Sequence, residues 1–131
     1  MSDTASSPHT KTILICEDDH NLRQLIRVVI GDSYRLVETD AGDEAVSLAR
    51  EHRPDLIILD LMLPRLTGLE VLERLHDELP ADGKHQILVM SAWTHEDSAA
   101  LDAGADRFVP KPFEPEELKA IVDEMLAEPD E

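Results

Sequence analysis

Polar residues follow four apolar, strand-like segments of this chain, and their types are those of a metal and phosphoryl site. Glu17-Asp18-Asp19 follows residues 12–16, Asp60 follows residues 56–59, Ser91 follows residues 87–90, and Lys111 follows residues 108–110. In a parallel α/β sheet the carboxyl ends of the strands share one edge, and ligands bind in the crevice there. Carboxylates, a hydroxyl and an ammonium meeting in one crevice indicate a divalent cation beside a phosphoryl group.

Each of these residues also has an ordinary structural explanation. The acidic cluster could be no more than the cap of a helix N-terminus, and Asp60 could cap the loop after its strand. Ser91 is a common type of loop residue, and Lys111 could be a surface lysine. Only their joint occurrence at consecutive strand ends favours a single site. Asp19 is assigned to the start of the first helix rather than to the metal.

Length and composition indicate one globular domain. At 131 residues the chain is long enough for one core and too short for two ordinary domains. Its composition, 42% hydrophobic and 31% charged, is typical of a soluble globular protein. The net charge of -17 argues against nucleic-acid and anionic membrane partners, since phosphate contacts need clustered Lys and Arg. The low number of lysines leaves a salt-adapted source open. The lone cysteine, Cys16, lies in an apolar run, which favours a buried, inert thiol in a reducing, cytoplasmic setting.

The hydrophobic pattern predicts five strands alternating with five helices. The strands are predicted at about 12–16, 34–38, 56–59, 86–90 and 107–109. The helices are predicted at about 21–30, from 43 to the proline at 54, after Gly68, from Thr94 to Gly104, and at 116–126. Such an order predicts a doubly wound, five-stranded parallel sheet with helices on both faces. Residues 1–10 are expected to be a disordered tail, 11–127 the domain, and 128–131 an acidic tail.

Taken in order, these motifs resemble the response regulator receiver domains of two-component signalling, the chemotaxis regulators among them. The motifs are the acidic cluster, Asp60 with the loop Pro64–Gly68, Ser91-Ala92, and Lys111-Pro112-Phe113. The resemblance covers nearly all of residues 11–126. It implies a flavodoxin-like (βα)5 fold, α/β in class, with strand order 2-1-3-4-5.

The resemblance also implies a role for each polar residue. Asp60 would accept a phosphoryl group from a phosphohistidine on a sensor histidine kinase or a phosphotransfer protein. The expected cofactor is Mg²⁺, and Ser91 and Lys111 would bind the phosphoryl oxygens. The implied metal ligands are Asp18, Asp60, the backbone carbonyl of Met62, and Glu17 through a water molecule.

Further residues are expected to connect phosphorylation to output. Ser91 and Phe108 would form a switch that reshapes the face made by the predicted fourth helix, the fifth strand and the fifth helix. This face would bind a protein target, and phosphorylation could also produce a homodimer. Met62 and Trp93 would flank the phosphoryl group and exclude water, so a long-lived phosphorylated form is expected.

Two other functions are weighed against the receiver. A hydrolase of another aspartyl-phosphate fold needs an acid two residues after its nucleophile, but Met62 stands there and cannot move protons, so no enzyme is expected. A pseudo-receiver that only binds a partner would normally lack one of the four groups. The expected form is a stand-alone regulator. The alternative is the receiver part of a longer regulator with DNA-binding or enzymatic output.

Overall fold

The computed structural model describes residues 11–63, 66–79, 85–91 and 104–127. The strands are β1 Thr12–Cys16, β2 Arg35–Thr39, β3 Leu56–Asp60, β4 Gln86–Ser91 and β5 Arg107–Pro110. The helices are α1 His20–Ile30, α2 Gly42–His52, α3 Gly68–Glu78 and α4 Pro115–Met125. Both predicted tails and most of the helix predicted from Thr94 lie outside the described residues, so α4 is the helix that the sequence placed fifth.

All five strands are parallel and lie in the order β2-β1-β3-β4-β5. This confirms the doubly wound sheet and the strand order that the family resemblance implied. Because every strand runs the same way, the carboxyl ends of all five share one edge of the sheet.

Alternate residues along each strand face opposite layers of helices, as the pleat requires. In β1, Leu14 and Cys16 join a core with α2 and α3, whereas Ile13 and Ile15 join a second core with α1 and α4. Every residue of β3 is buried, because this central strand is covered on both faces. An aliphatic core therefore packs against each face of the sheet.

The helix ends differ from the predicted bounds by one or two residues. The side chain of Asp19 caps α1 by accepting hydrogen bonds from the amides of Asn21 and Leu22, which confirms its assignment to the helix start. Helix α2 ends at His52, and Arg53 adopts the left-handed conformation with φ of 49° before Pro54. The proline disfavours helical geometry in the residue before it.

The start of α3 is held against the end of β3 by a close backbone approach at Gly68. The amide of Gly68 donates to the carbonyl of Leu61 at 2.9 Å. A Cβ atom at Gly68 would lie 2.3 Å from the Leu61 Cα and 2.9 Å from the Asp60 carbonyl oxygen. Only glycine fits this contact, so the loop after Asp60 is fixed by residue type.

Candidate functional site

Strand register places two acidic residues side by side at the carboxyl edge of the sheet. Cys16 pairs with Leu59, so the next residues along the two strands, Glu17 and Asp60, are neighbours. Both are buried, with exposed fractions of 1% for Glu17 and 2% for Asp60. Two carboxylates removed from water at such proximity require a cation.

Lys111 supplies that cation from the end of β5. Its Nζ lies 2.7 Å from Asp60 Oδ2 and 3.0 Å from Glu17 Oε1. The lysine is placed by the β4–β5 pairing, because its amide donates to the Ser91 carbonyl at 2.8 Å. One ammonium thus joins the two carboxylates, although 51 residues separate it from Asp60 and 94 from Glu17.

The second oxygen of each carboxylate accepts a backbone hydrogen bond. Glu17 Oε2 accepts from the amide of Asp19 at 3.0 Å, and Asp60 Oδ1 accepts from the amide of Met62 at 2.9 Å. These bonds come from the two loops that follow β1 and β3. Both carboxylates are therefore held in fixed orientations by their own loops.

The pKa values of two groups in the site, Glu17 and Lys111, are shifted from their ordinary values. Burial, assisted by the neighbouring charge of Asp60, raises the pKa of Glu17 to about 7, although hydrogen bonds from Asp19 and Lys111 oppose the shift. Burial acts to lower the pKa of Lys111, but its hydrogen bonds to Asp60 and Glu17 outweigh burial, so the pKa is raised. The lysine thus stays charged, whereas Glu17 carries its charge at a cost.

The acidic residues fit a divalent metal ion. Glu17, Asp18 and Asp60 offer carboxylate oxygens that lie within 4.8 Å of one another. An all-oxygen donor set of this kind suits a hard cation such as Mg²⁺. Glu17 and Asp60 are buried while Asp18 is exposed, so the group opens to solvent on the side of Asp18.

Four other residues were predicted to belong to the site, and the structure describes three of them: Ser91, Phe108 and Met62. Ser91 is fully buried at the end of β4, and Phe108 is half-buried against the core on the α2–α3 side. Met62 is 57% exposed, and its backbone amide donates to Asp60. Trp93, like Pro64, lies outside the described residues.

Cys16 precedes this site but takes no part in its chemistry. Burial raises the pKa of its thiol far above the ordinary value, and its exposed fraction is zero. A thiol held in the neutral form is a poor nucleophile and metal ligand, so the geometry supports the expectation of an inert cysteine.

Arg23 contacts the loop that carries Glu17, and sequence reasoning did not identify it. Its guanidinium donates to the backbone carbonyl of Glu17 at 2.7 Å and to Glu38 at 3.2 Å. The only available signal was a basic residue one helical turn after the cap of α1, which is common on exposed helix faces.

Among the described residues, no helix combines the length and the hydrophobicity that a membrane span needs.

The class of protein is defined by a five-stranded parallel sheet whose carboxyl edge carries a cluster of carboxylates and a lysine. The family model described as the response regulator receiver domain matches residues 13–123. The chain therefore belongs to the response regulator receiver domain family of two-component signalling, as its motifs implied.

Individual relatives agree with this assignment. The chain is 41% identical over 127 residues to "Response regulator MprA" of Mycobacterium sp. (strain KMS), covering 91% of this chain and 53% of that protein. It is 34% identical over 120 residues to "Response regulator GtcR" of Aneurinibacillus migulanus, covering 89% of this chain and 48% of that protein. The chain thus spans about half the length of these curated relatives.

Solved structures of receiver domains have the same fold. The Francisella response regulator 1452 receiver domain matches with a TM-score of 0.80 at 25% identity, covering 89% of this chain and 97% of that chain. The response regulator domain of Thermotoga maritima CheB matches with a TM-score of 0.74 at 26% identity, covering 92% of this chain and 99% of that chain.

Proposed function

We propose that this receiver accepts a phosphoryl group on Asp60 from a phosphohistidine, in a reaction that depends on Mg²⁺. The donor would be a sensor histidine kinase or a phosphotransfer protein, and we place the exchange in the cytoplasm. One observation carries the proposal: the Lys111 ammonium joins the buried carboxylates of Asp60 and Glu17, beside the exposed Asp18. This arrangement offers a nucleophile, a cation and a hard-metal donor set within one crevice.

The residues of the chain account for the transfer step. A carboxylate oxygen of Asp60 forms a bond to phosphorus while the phosphorus–nitrogen bond of the donor breaks. The imidazole nitrogen keeps the electron pair and takes up a proton. Lys111 already lies 2.7 Å from Asp60 and would transfer its hydrogen bond to a phosphoryl oxygen as charge spreads over those oxygens. The buried hydroxyl-bearing residue Ser91 would contact another of them.

Metal binding assigns a part to each acidic residue. Asp18 and Asp60 would be direct ligands together with the Met62 backbone carbonyl, while Glu17 would bind through water. When bound, Mg²⁺ would neutralise the crowded carboxylates and the incoming phosphoryl oxygens. The cap of α1 and the Asp60–Met62 hydrogen bond hold the two ligand-bearing loops in place before any metal arrives.

Phosphorylation would then change the protein's binding face. Charge on Asp60 would draw Ser91 toward the phosphoryl group, and Phe108, which lies half-buried on the neighbouring strand, would move into the space behind it. The output target is a protein with a basic or apolar surface, given the net charge of -17. A stand-alone regulator remains a prediction that the length of the curated relatives does not support, and the alternative is the receiver part of a longer regulator.

The phosphoacceptor can be identified chemically. The protein is incubated with acetyl phosphate and Mg²⁺, reduced with borohydride, and the modified residue is mapped by mass spectrometry. We expect the label on Asp60, and none in the Asp60→Asn variant. Asp106→Asn is a matched control, because Asp106 bonds the amide of Ile87 at the opposite edge of the sheet. Labelling of another aspartate in the wild-type protein would refute the assignment.

The lifetime of the phosphorylated form is a second measurable consequence. Loss of the phosphoryl group needs a water molecule in line with the acyl-phosphate bond, and the exposed thioether of Met62 cannot orient one. Met62→Asn should shorten the half-life by about tenfold, equivalent to about 1.4 kcal/mol of barrier. Trp93→Ala tests the second flanking residue in the same assay. Equal half-lives in the wild-type protein and both variants would show that these side chains do not control water.

A further inference from the structure

Arg23 lies outside the acidic site, but its side chain contacts the loop after β1, which carries Glu17 and Asp18. Arg23 lies on the first turns of α1, and its Nη1 donates to the backbone carbonyl of Glu17 at 2.7 Å. The carbonyl belongs to the peptide unit between Glu17 and Asp18. A charged donor on this group therefore constrains the peptide that joins the two acidic residues.

The guanidinium of Arg23 is itself held in place. Its Nε bonds Glu38 Oε1 at 3.2 Å, and its Nη2 lies 3.4 Å from Nδ1 of His20. Only 18% of the Arg23 side chain is exposed. Glu38 is also bound by Arg27 through its other oxygen, at 2.6 Å. Strand β2 and helix α1 thus fix the donor that reaches the Glu17 carbonyl.

We infer that Arg23 is a positioning residue for the metal site, acting through the Glu17 carbonyl. This inference rests on the proposed Mg²⁺-dependent function. With its amide bonded to the Thr39 carbonyl and its own carbonyl bonded to Arg23, Glu17 has both backbone groups fixed. The following residue, Asp18, is exposed and leaves the sheet, so the orientation of this peptide unit sets the direction of its carboxylate. Residues that orient a metal ligand through a hydrogen bond, without binding the metal themselves, typically change metal affinity by about 10–100-fold.

The charge of Arg23 and its hydrogen bond have opposite effects on metal binding. Removing a positive charge near the site should tighten the binding of a divalent cation, because repulsion is lost. Removing the hydrogen bond should weaken it, because the Asp18 peptide is no longer fixed. The sign of the change in affinity therefore separates positioning from simple electrostatics.

Arg27 provides a matched control. It lies one turn further along the same helix and binds the same Glu38, but it makes no contact with Glu17 among the described residues. Arg23→Met and Arg27→Met remove the same charge and keep an unbranched apolar stem. The experiment measures the Mg²⁺ dissociation constant of each metal-free protein by calorimetry. It also measures the ¹³C shift of the Glu17 carbonyl by NMR and the Mg²⁺ concentration that gives half-maximal phosphorylation by acetyl phosphate.

The expected result has three parts. Arg23→Met should weaken Mg²⁺ binding about tenfold, while Arg27→Met stays within about twofold of the wild-type protein or binds more tightly. The ¹³C chemical shift of the Glu17 carbonyl should change in metal-free Arg23→Met and stay unchanged in metal-free Arg27→Met. Half-maximal phosphorylation should need about tenfold more Mg²⁺ in Arg23→Met, with the same rate at saturation, because the missing contact orients the loop and touches no reacting atom.

A second variant covers the case in which Arg23→Met does not fold. Arg23→Lys keeps the charge and the helix propensity, but a single ammonium cannot hold Glu17 and Glu38 in the geometry of the guanidinium fork. It should also weaken Mg²⁺ binding. If the folded Arg23 variants bind Mg²⁺ as Arg27→Met does, the inference is overturned. If the wild-type protein binds no Mg²⁺, the proposed function fails as well.

Discussion

Lys111→Met tests whether one lysine balances the charge of the site before metal binds. Methionine keeps much of the length of the stem but removes the ammonium that joins Glu17 and Asp60 at 3.0 and 2.7 Å. Removing one partner of a buried ion pair costs about 3–5 kcal/mol, because the remaining charge is left unpaired in a poorly solvated place. Lys111 is 21% exposed, and the raised pKa of Glu17 allows that carboxyl to take up a proton. Both effects point to a lower figure of about 2–3 kcal/mol.

The assay is thermal unfolding of the metal-free proteins at pH 8, above the pKa of about 7 that Glu17 has beside Lys111 in the wild-type protein. For a domain of this size each kcal/mol changes Tm by about 4 °C, so Lys111→Met should unfold about 8–12 °C below the wild-type protein. Added Mg²⁺ should recover much of the loss, since ligand at a hundred times Kd contributes about 2.7 kcal/mol. The increase in Tm with Mg²⁺ should be larger in Lys111→Met than in the wild-type protein, because no ammonium competes for the carboxylates.

Lys119→Met is the matched control for this experiment. Lys119 pairs with Asp123 one helical turn away on α4 and is 38% exposed, so the change should cost less than about 1 kcal/mol and leave the response to Mg²⁺ unaltered. If Lys111→Met matched the wild-type protein both in metal-free Tm and in its gain with Mg²⁺, the charge-balance argument would be refuted.

Three further predictions concern charge, backbone packing and pH. Asp18→Ala should raise the metal-free Tm slightly by relieving repulsion and abolish the gain with Mg²⁺; a lower metal-free Tm would contradict the repulsion argument. Gly68→Ala should cost about 1–3 kcal/mol in urea unfolding, because the new Cβ overlaps backbone atoms, and a neutral result would mean that the loop shifts freely. The Tyr34 phenol, which donates to Asp123 at 2.9 Å, has a pKa raised to about 12 by burial and by that carboxylate. Its contribution to stability should be complete below about pH 10 and fade toward pH 12. Absorbance titration of this sole tyrosine should show a lower pKa in Asp123→Asn; an unchanged pKa would exclude the hydrogen bond.

The sequence predicted the fold and the grouping of Glu17, Asp60 and Lys111 because both depend on strand ends. Apolar runs of strand length mark the buried segments, and the residue type changes abruptly to Asp60 or Lys111 where each run stops. In a parallel sheet such positions must share one edge, so no long-range information was needed to group them. The burial of all five β3 residues agrees with its continuous apolar run.

Other features depend on contacts between distant segments, which local patterns do not encode. The double contact of Lys111 with Glu17 and Asp60 requires the register of β1, β3 and β5 together. Arg23 resembled any exposed basic helix residue until α1 was seen against Glu17 and Glu38. Gly68 carried a turn signal in the sequence, but its contact with the Leu61 backbone is a tertiary constraint.

Charge balance explains why the proposed reaction needs both a lysine and a divalent metal ion. When Glu17, Asp18 and Asp60 are ionised, Lys111 compensates only one of the three negative charges. A divalent cation would neutralise the remainder, and phosphorylation would then add negative charge to Asp60. The ammonium could follow that charge only by leaving Glu17 or by sharing its hydrogen bonds. Lys111 stands at the end of β5 and its amide donates to the Ser91 carbonyl, so the residue that would follow this charge is joined to both strands that carry the proposed switch residues.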